Sequence, residues 1–286
     1  MFAYTKLMLT GALAKTGWET VSSMNSPRSS FGACGTSSST LAFGGDTAYL
    51  AFVATTEIWS GSSWATTSSL NNVIARNGTS GTTSSALSFA GYDGSVLIGK
   101  TEKWSGSSWA TTSAMNIATS APGSAGDSNS AALAFAGDTG PVYENRTELW
   151  NGSSWATTSA MNTRFAQTSG CGTSTAALSV GGYIQFDRTA ICEKWNGTSW
   201  ATTGSLNTAS ISTGPFGTVS SAMAVNLNST TACEKWSGTS WATTTAAPLT
   251  KNGGFKGSGA SGSSGLDMGG SAPGFDSTAT VQRWYG

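Results

Sequence analysis

Short apolar segments, separated by turns rich in Ser, Thr and Gly, run along the whole chain, and no stretch has the 3.6-residue period of a long amphipathic helix. Six of these segments correspond to one another: TLAFGG, ALSFAG, ALAFAG, ALSVGG, SAMAVN and GLDMGG. Most of them end at a Gly-Gly or Ala-Gly pair, where glycine lets the backbone turn with positive φ and lets neighbouring strands approach closely. The pattern predicts an all-β protein.

After each apolar segment comes a variable loop and then a recurring unit with two tryptophans. Its five copies are TEIWSGSSWATTSSLN, TEKWSGSSWATTSAMN, TELWNGSSWATTSAMN, CEKWNGTSWATTGSLN and CEKWSGTSWATT. We interpret each copy as a strand ending at the first Trp, a four-residue hairpin, and an outer strand beginning at the second Trp, such as WATTSSL up to Leu70. Small-residue segments such as RSSFGACGT and the tail KGSGASGSSG suit a crowded inner strand near an axis. Each unit is thus predicted to contain four strands.

The second Trp of the unit recurs at steps of 45, 46, 45 and 41 residues, which is the length of one four-stranded propeller blade. The paired tryptophans are Trp59 and Trp64, Trp104 and Trp109, Trp150 and Trp155, Trp195 and Trp200, and Trp236 and Trp241. Trp18 has only the second half of a unit and Trp284 only the first half, so the two chain ends together complete a sixth unit.

We therefore predict a six-bladed β-propeller of four-stranded blades, closed by N- and C-terminal strands that share the last blade. The predicted divisions are an N-terminal arm at 1–15 and a propeller at 16–286, with blades at about 26–70, 71–115, 116–161, 162–206, 207–247 and 248–286 plus 16–25. The arm is interpreted as an extension that docks on a partner or folds back over its own blades.

An apolar strand ending in Gly-Gly, followed after a variable loop by an aromatic residue and then a Trp, resembles the kelch motif, and the resemblance covers about Lys15 to Gly286. The form TEKWSGSSWATTSAMN is also similar to kelch-like repeats of virion proteins from tailed, particularly marine, bacteriophages. The glycine pair is Ala-Gly at 90–91 and 136–137 and is lost at Val225-Asn226, so blade 5 and its junction with blade 6 depart most from the motif.

The resemblance implies a virion structural protein: a head decoration, a fibre or a tail-associated propeller, present in symmetric copies. Its partners would then be other virion proteins, or a glycan or protein of the host surface. A secreted or surface carbohydrate-binding lectin is the alternative, because it predicts the same aromatic loops without an assembly.

The composition removes several function classes. The chain has no His, and its 14 Lys and Arg balance its 14 Asp and Glu. Without histidine there is no Ser-His or Cys-His nucleophile pair and no histidine-ligated copper of the galactose-oxidase kind, so we expect no enzyme, cofactor or metal. A sialidase-like glycosidase is the least favoured hypothesis, because the repeated Ser-x-Asp-x-Gly-x-Thr-Trp turn of such enzymes is absent from the sequence. A net charge of zero argues against a nucleic-acid partner.

No apolar run reaches the length of a membrane span. Four cysteines without CxxC spacing are interpreted as small buried residues, with a disulfide as the alternative: Cys34, Cys171, Cys192 and Cys233.

Strands of a blade alternate in direction, so the loops fall on two faces. One face is expected to carry the short, nearly identical hairpins, and the other the loops that differ between units, where we place binding. The candidate residues on that variable face are Tyr49, Phe52, Arg76, Tyr92, Asp93, Tyr143, Arg146, Arg164, Tyr183, Phe186, Asp187 and Arg188. Aromatic rings beside Arg and Asp suit a sugar or a protein hot spot, whereas ordinary surface packing is the alternative for each residue.

A ring of acidic side chains is also implied, because a Glu lies two residues before the first Trp of each complete unit. These are Glu57, Glu102, Glu148, Glu193 and Glu234, with Gln282 in the sixth unit. We expect them to accept hydrogen bonds from the neighbouring blade rather than to bind a ligand.

Overall fold

Six four-stranded antiparallel sheets form the blades of a closed ring, which confirms the predicted six-bladed propeller. The computed structural model describes residues 15–47, 51–211, 213–251, 254–271 and 276–286, without the side chain of Phe255. The inner strands of the six blades contact one another in cyclic order around a central axis. Most of the predicted N-terminal arm lies outside the described residues.

Each blade has an inner strand, two middle strands and an outer strand. Blade 1 contains β2 (Gly32–Thr36), β3 (Ser39–Phe43), β6 (Thr56–Trp59) and β7 (Trp64–Thr67), and its loop holds β4 (Asp46–Thr47) and β5 (Ala51–Phe52). Blade 2 contains β8 (Gly78–Thr82), β9 (Ser85–Phe89), β10 (Thr101–Trp104) and β11 (Trp109–Thr112). Blade 3 contains β12 (Gly123–Ser128), β13 (Ala131–Phe135), β14 (Thr147–Trp150) and β15 (Trp155–Thr158). Blade 4 contains β16 (Ser169–Gly172), β17 (Ala177–Ile184), β18 (Asp187–Trp195) and β19 (Trp200–Thr202).

Blade 5 contains β20 (Phe216–Thr218), β21 (Ser221–Ala224), β22 (Cys233–Trp236) and β23 (Trp241–Thr244). Blade 6 contains β24 (Phe255–Ser261), β25 (Ser264–Gly269), β26 (Val281–Tyr285) and, as its outer strand, β1 (Gly17–Val21). Trp18 lies opposite Trp284 in the β1–β26 ladder, so the two chain ends close the ring as predicted. The outer strands are shorter than expected: β7 ends at Thr67, because the chain then turns and the backbone N–H of Leu70 donates to Ala54.

The first Trp of every unit locks its own blade. The indole N–H of Trp59 donates to the carbonyl of Ser37 in the inner hairpin at 3.1 Å, and the equivalent bond recurs in the other five blades. Because the indole is large and fully or almost fully buried, it fixes the distance between the inner and outer hairpins of the blade.

The second Trp joins neighbouring blades. Trp109 packs edge-on against Phe43 of blade 1, with ring centroids 4.8 Å apart, and its indole N–H donates to Thr56 of that blade at 3.0 Å. Trp155 and Trp200 repeat both contacts with blades 2 and 3. The side chains that the sequence repeats most strictly therefore form the interfaces between blades.

The acidic ring is structural, as predicted. Glu102 of blade 2 accepts hydrogen bonds from the backbone N–H groups of Asn71 and Asn72, at 2.8 and 3.2 Å, in the chain that arrives from blade 1. Corresponding bonds reach Glu57, Glu148, Glu193 and Glu234, and in blade 6 Gln282 accepts from the N–H of Leu249.

Two blades carry a buried ion pair that the repeat does not contain. In blade 1, Arg28 pairs with Glu57, and neither side chain is exposed. In blade 6, Lys251 lies 3.1 Å from Asp267, whose same carboxylate oxygen accepts from Asn226 and Gln282. The Lys251–Asp267 pair thus lies within blade 6, and Arg28 lies at the junction of blades 6 and 1, where its backbone N–H donates to the carbonyl of Thr278.

Blade 5 is complete in spite of its departures from the motif. In the described residues the register places Asn226, rather than Val225, at the first position of the glycine pair, with φ of +51°. Asn is among the few residues other than Gly that enter the left-handed region readily, so the turn survives the substitution. All four cysteines are free and buried, as predicted.

Candidate binding face

The hairpins and the variable loops lie on opposite faces of the ring. The inner and outer hairpins are on the same side, because each first Trp bonds from its hairpin to the inner hairpin of the blade. We call this the hairpin face. The loops between β3 and β6 and their equivalents, together with the connections between blades, form the other side, which we call the variable face.

All the exposed large apolar side chains of the described residues lie on the variable face. They are Val73, Val96, Val142, Phe186 and Leu249. The hairpin face consists instead of Ser, Thr, Asn and Gly turns closed by their own hydroxyl and amide groups. A scatter of single exposed apolar residues is ordinary, but their restriction to one face marks the side on which a partner gains apolar burial.

One aromatic pair joins the loops of blades 1 and 2. Phe52 in β5 and Tyr92 have ring centroids 5.6 Å apart in an edge arrangement, and both side chains are partly exposed. Asp93, next to Tyr92, accepts three hydrogen bonds from Ser95 and Val96. The bonds from the backbone N–H groups of Val96 and Ser95 lower the pKa of Asp93. The same bonds hold the carboxylate of Asp93 across its own loop.

A second aromatic pair joins the loops of blades 3 and 4. The rings of Tyr143 and Phe186 are also 5.6 Å apart, and Arg164 donates to the carbonyl of Tyr143 at 3.2 Å. Tyr183 pairs with Arg188 in the β17–β18 ladder, one step from the hairpin tip that carries Phe186. The structure thus brings Tyr143, Arg164 and Phe186 together.

Phe186 occupies a strained position. Its side chain is 85% exposed, and with Gln185 it forms the tip of the β17–β18 hairpin at φ of +72° and +47°. A left-handed conformation costs a residue with a side chain about 1–2 kcal/mol, and such turns usually take Asn-Gly. A large ring held in water on a strained turn contributes nothing to the propeller core.

The remaining candidates are dispersed around the rim. Arg188 donates to Asn228 of blade 5, and Asp187 is exposed at the same hairpin. Arg146 lies 3.9 Å from Glu144 in a small recess beside Met115, away from the Tyr143–Phe186 pair. Tyr49 lies outside the described residues.

Arg76 is at the centre of the face rather than on its rim. It lines a cavity of about 160 Å³ at the axis, which we call the axial mouth, with Ser30, Ala121, Pro122, Gln167, Thr168, Ser169, Gly254 and Lys256. The residues of this set come from the starts of successive inner strands. Lys256 in β24 also lines the channel below, between the inner strands.

Sequence reasoning missed Lys256 and the exposed valines. Lys256 stands in a small-residue tail that predicts only an inner strand, and nothing in the order of residues gives its distance from the axis. Val96 and Val142 follow Gly-Ser and Gly-Pro turns, and an apolar residue directly after a polar turn was the signal that could have indicated them.

A scan of protein-family models gives no match to the chain, and a search of curated proteins gives none either. In the part of the chain that the structure describes, no group of three or more Cys, Asp or Glu side chains is arranged to hold a metal ion. No helix in those same ranges has the length and apolar character required to cross a membrane.

Proposed function

We propose that the protein is a non-enzymatic binding scaffold whose variable face docks a partner in an assembled particle. The single observation that carries this is the one-sided distribution of exposed apolar side chains. A partner that covers Val142 and Phe186 gains apolar burial at about 25 cal/mol per Å², while the rigid blades below need no rearrangement.

The finer identity we propose is a virion structural protein of a tailed bacteriophage, as a head decoration, a fibre or a tail-associated propeller. Its support is the resemblance of the two-tryptophan repeat to phage kelch-like proteins. The lack of histidine supports the non-enzymatic part of the proposal, because the commonest general base and nucleophile partner are missing. The location that follows is the virion.

The decisive experiment uses particles of the encoding phage. Mass spectrometry of purified virions should detect the chain in a copy number that matches a symmetry of the head or tail. Particles assembled without the chain should then bind the recombinant protein. Absence of the chain from purified virions overturns the virion proposal.

Variants identify the docking side. Phe186→Ser and Val142→Ser should weaken binding to such particles, whereas Ser107→Phe, a change of similar size in a hairpin of the opposite face, should leave it unchanged. Equal binding by all three proteins contradicts docking through the variable face.

A carbohydrate-binding lectin is the second candidate, favoured by the Tyr143–Phe186 pair beside Arg164, because rings stack on the apolar faces of sugars. A glycan array should then show a ligand that is lost when Tyr143, Tyr183 and Arg188 are changed to Ala. Binding that survives these changes excludes this site.

A further inference from the structure

The axial mouth differs from the rest of the surface in its charge. Two of its lining residues, Arg76 and Lys256, are cationic, and none of the described residues that line it is acidic. The residues outside the described ranges include no Asp or Glu. In a chain whose net charge is zero, the mouth therefore concentrates positive charge at one point.

The backbone holds Arg76 in place. Its N–H donates to the carbonyl of Ser30 at 2.6 Å, and its own carbonyl accepts from Ala121 at 2.8 Å. These bonds run from blade to blade around the axis and keep Arg76 at φ of +56°. Ala, Ser, Gln and Gly stand at comparable places of the mouth, so a long cationic side chain in a left-handed conformation is specific to this blade.

The guanidinium of Arg76 is exposed, and the described residues include no ion pair or hydrogen bond from it. The carboxylate of Asp46 accepts from Ser29 at 3.0 Å and feels the charge of Arg76 without forming an ion pair with it. Burial raises the pKa of Asp46.

Lys256 is half-buried on the inner strand, and desolvation lowers its pKa to about 8. No neighbouring carboxylate contributes to that shift. A protonated amine that has lost water and gained no counter-ion is relieved when an anion arrives.

We propose that the axial mouth binds a small oxyanion, a carboxylate, sulfate or phosphate group, between Arg76 and Lys256. The hydroxyl and amide groups of Ser30, Gln167 and Ser169 are available to the other atoms of the ligand. This goes beyond the proposed docking function, because the mouth binds its anion whether or not the rim of the variable face docks a partner.

The test is calorimetric titration of the full chain with sulfate, phosphate and glucuronate at pH 7 and constant ionic strength. The variants are Arg76→Gln, which introduces the side chain that Gln167 already provides at the mouth, and Lys256→Met. Each should weaken binding by about tenfold or more, since a hydrogen bond to a charged group contributes at least that much. Lys194→Met, the same change on the third strand of blade 4, is the matched control and should bind as the unmodified protein does.

Two further readouts separate binding from a structural role. Without ligand, Lys256→Met should melt at a higher temperature than the unmodified protein, because a desolvated charge is removed. From pH 7 to 9.5 the unmodified protein and Arg76→Gln should lose affinity as Lys256 deprotonates, while Lys256→Met should not.

Tighter binding of glucuronate than of sulfate assigns the mouth to an acidic sugar, and the reverse order assigns it to a free inorganic oxyanion. Equal binding by the two mouth variants and the control, or no binding of any of the three anions, overturns the proposal. Neither result bears on the rim variants, so failure here is distinguishable from failure of the docking function.

Discussion

Trp18 and Trp284 lie opposite each other on neighbouring strands of blade 6, with ring centroids 5.3 Å apart, although they come from opposite ends of the chain. Trp59 and Trp64, joined by a continuous hairpin in blade 1, are 5.4 Å apart. The break between β26 and β1 therefore occupies the place of a Ser-Gly-Ser-Ser hairpin.

This relationship predicts the behaviour of circular permutants. Joining Trp284 to Trp18 through Ser-Gly-Ser-Ser and opening the chain at Ser23 makes every blade continuous, so blades 6 and 1 are then held together by packing alone. We expect the permutant to fold with an unchanged far-ultraviolet circular dichroism spectrum but to unfold at lower denaturant and faster, because no shared blade ties the ring.

The control is a permutant with the same linker that is opened between Ser153 and Ser154, in the outer hairpin of blade 3. It moves the shared blade without abolishing it, and its unfolding midpoint should match that of the natural chain. Identical midpoints for both permutants would contradict a role for the shared blade in stability.

Cys192→Thr should stabilise the protein. In three blades the second Trp donates to a Thr of the preceding blade, but Trp241 faces the weakly accepting thiol of Cys192, and its N–H has no partner among the described residues. The new hydroxyl should add about 0.5–1.5 kcal/mol to the free energy of unfolding, measured in urea.

Cys233→Thr is the matched control for that change. It lies at the equivalent position, but the indole N–H of Trp18 already donates to the carbonyl of Thr245 at 3.2 Å. A gain as large at Cys233 as at Cys192 would show that the missing hydrogen bond is not the cause.

Glu57→Gln and Glu102→Gln should lower the free energy of unfolding by different amounts, although both glutamates accept backbone hydrogen bonds. An amide at 102 keeps an acceptor oxygen, as Gln282 does in blade 6, so the loss should be about 1–2 kcal/mol. At 57 the change leaves Arg28 buried without its counter-ion, which should cost about 3–5 kcal/mol. Urea midpoints measure both, and equal losses would mean that the ion pair contributes nothing of its own.

Stability should fall at alkaline pH through the cysteines. Burial raises the pKa of Cys34 and Cys171 to about 12 and that of Cys192 and Cys233 to about 11. An unfolded thiol has a pKa of about 8.5, so above that pH the unfolded chain binds fewer protons than the native state. The free energy of unfolding then decreases as pH rises from about 8.5 towards 11–12, by about 1.4 kcal/mol per unit for each thiol.

The double variant Cys34→Ala and Cys171→Ala isolates this effect, because other alkaline titrations are common to both proteins. Its unfolding midpoint should decline less steeply between pH 8.5 and 10.5 than that of the unmodified protein. Iodoacetamide should not label the native cysteines at pH 8, whereas it should label them in denaturant. Parallel pH profiles would exclude the thiols as the cause.

The ring was predictable because the side chains that hold each blade together and join it to the next blade recur along the sequence. Trp59, Trp64 and Glu57 sit at the same places as their counterparts, and the spacing alone gives the blade count. Arg28, Lys251 and Asp267 each occur in one unit only. The repeat pattern therefore could not predict that they form buried ion pairs. Arg76 was predicted to lie on the variable face, but its place at the axis depends on a backbone conformation that the residue type does not reveal.

The outer hairpins have a consequence for how this molecule can be attached to another. Five of them present closely similar Ser, Gly, Thr and Asn atoms around the ring, each closed by the same backbone bond. A neighbouring protein that binds one of these five hairpins would meet nearly the same atoms at each of the others. These hairpins therefore do not define the rotational orientation of the ring. The repeat on this face is broken where the two chain ends stand in place of the sixth hairpin. The variable face differs from blade to blade, so it offers many more contacts that can define the orientation of the ring in an assembly.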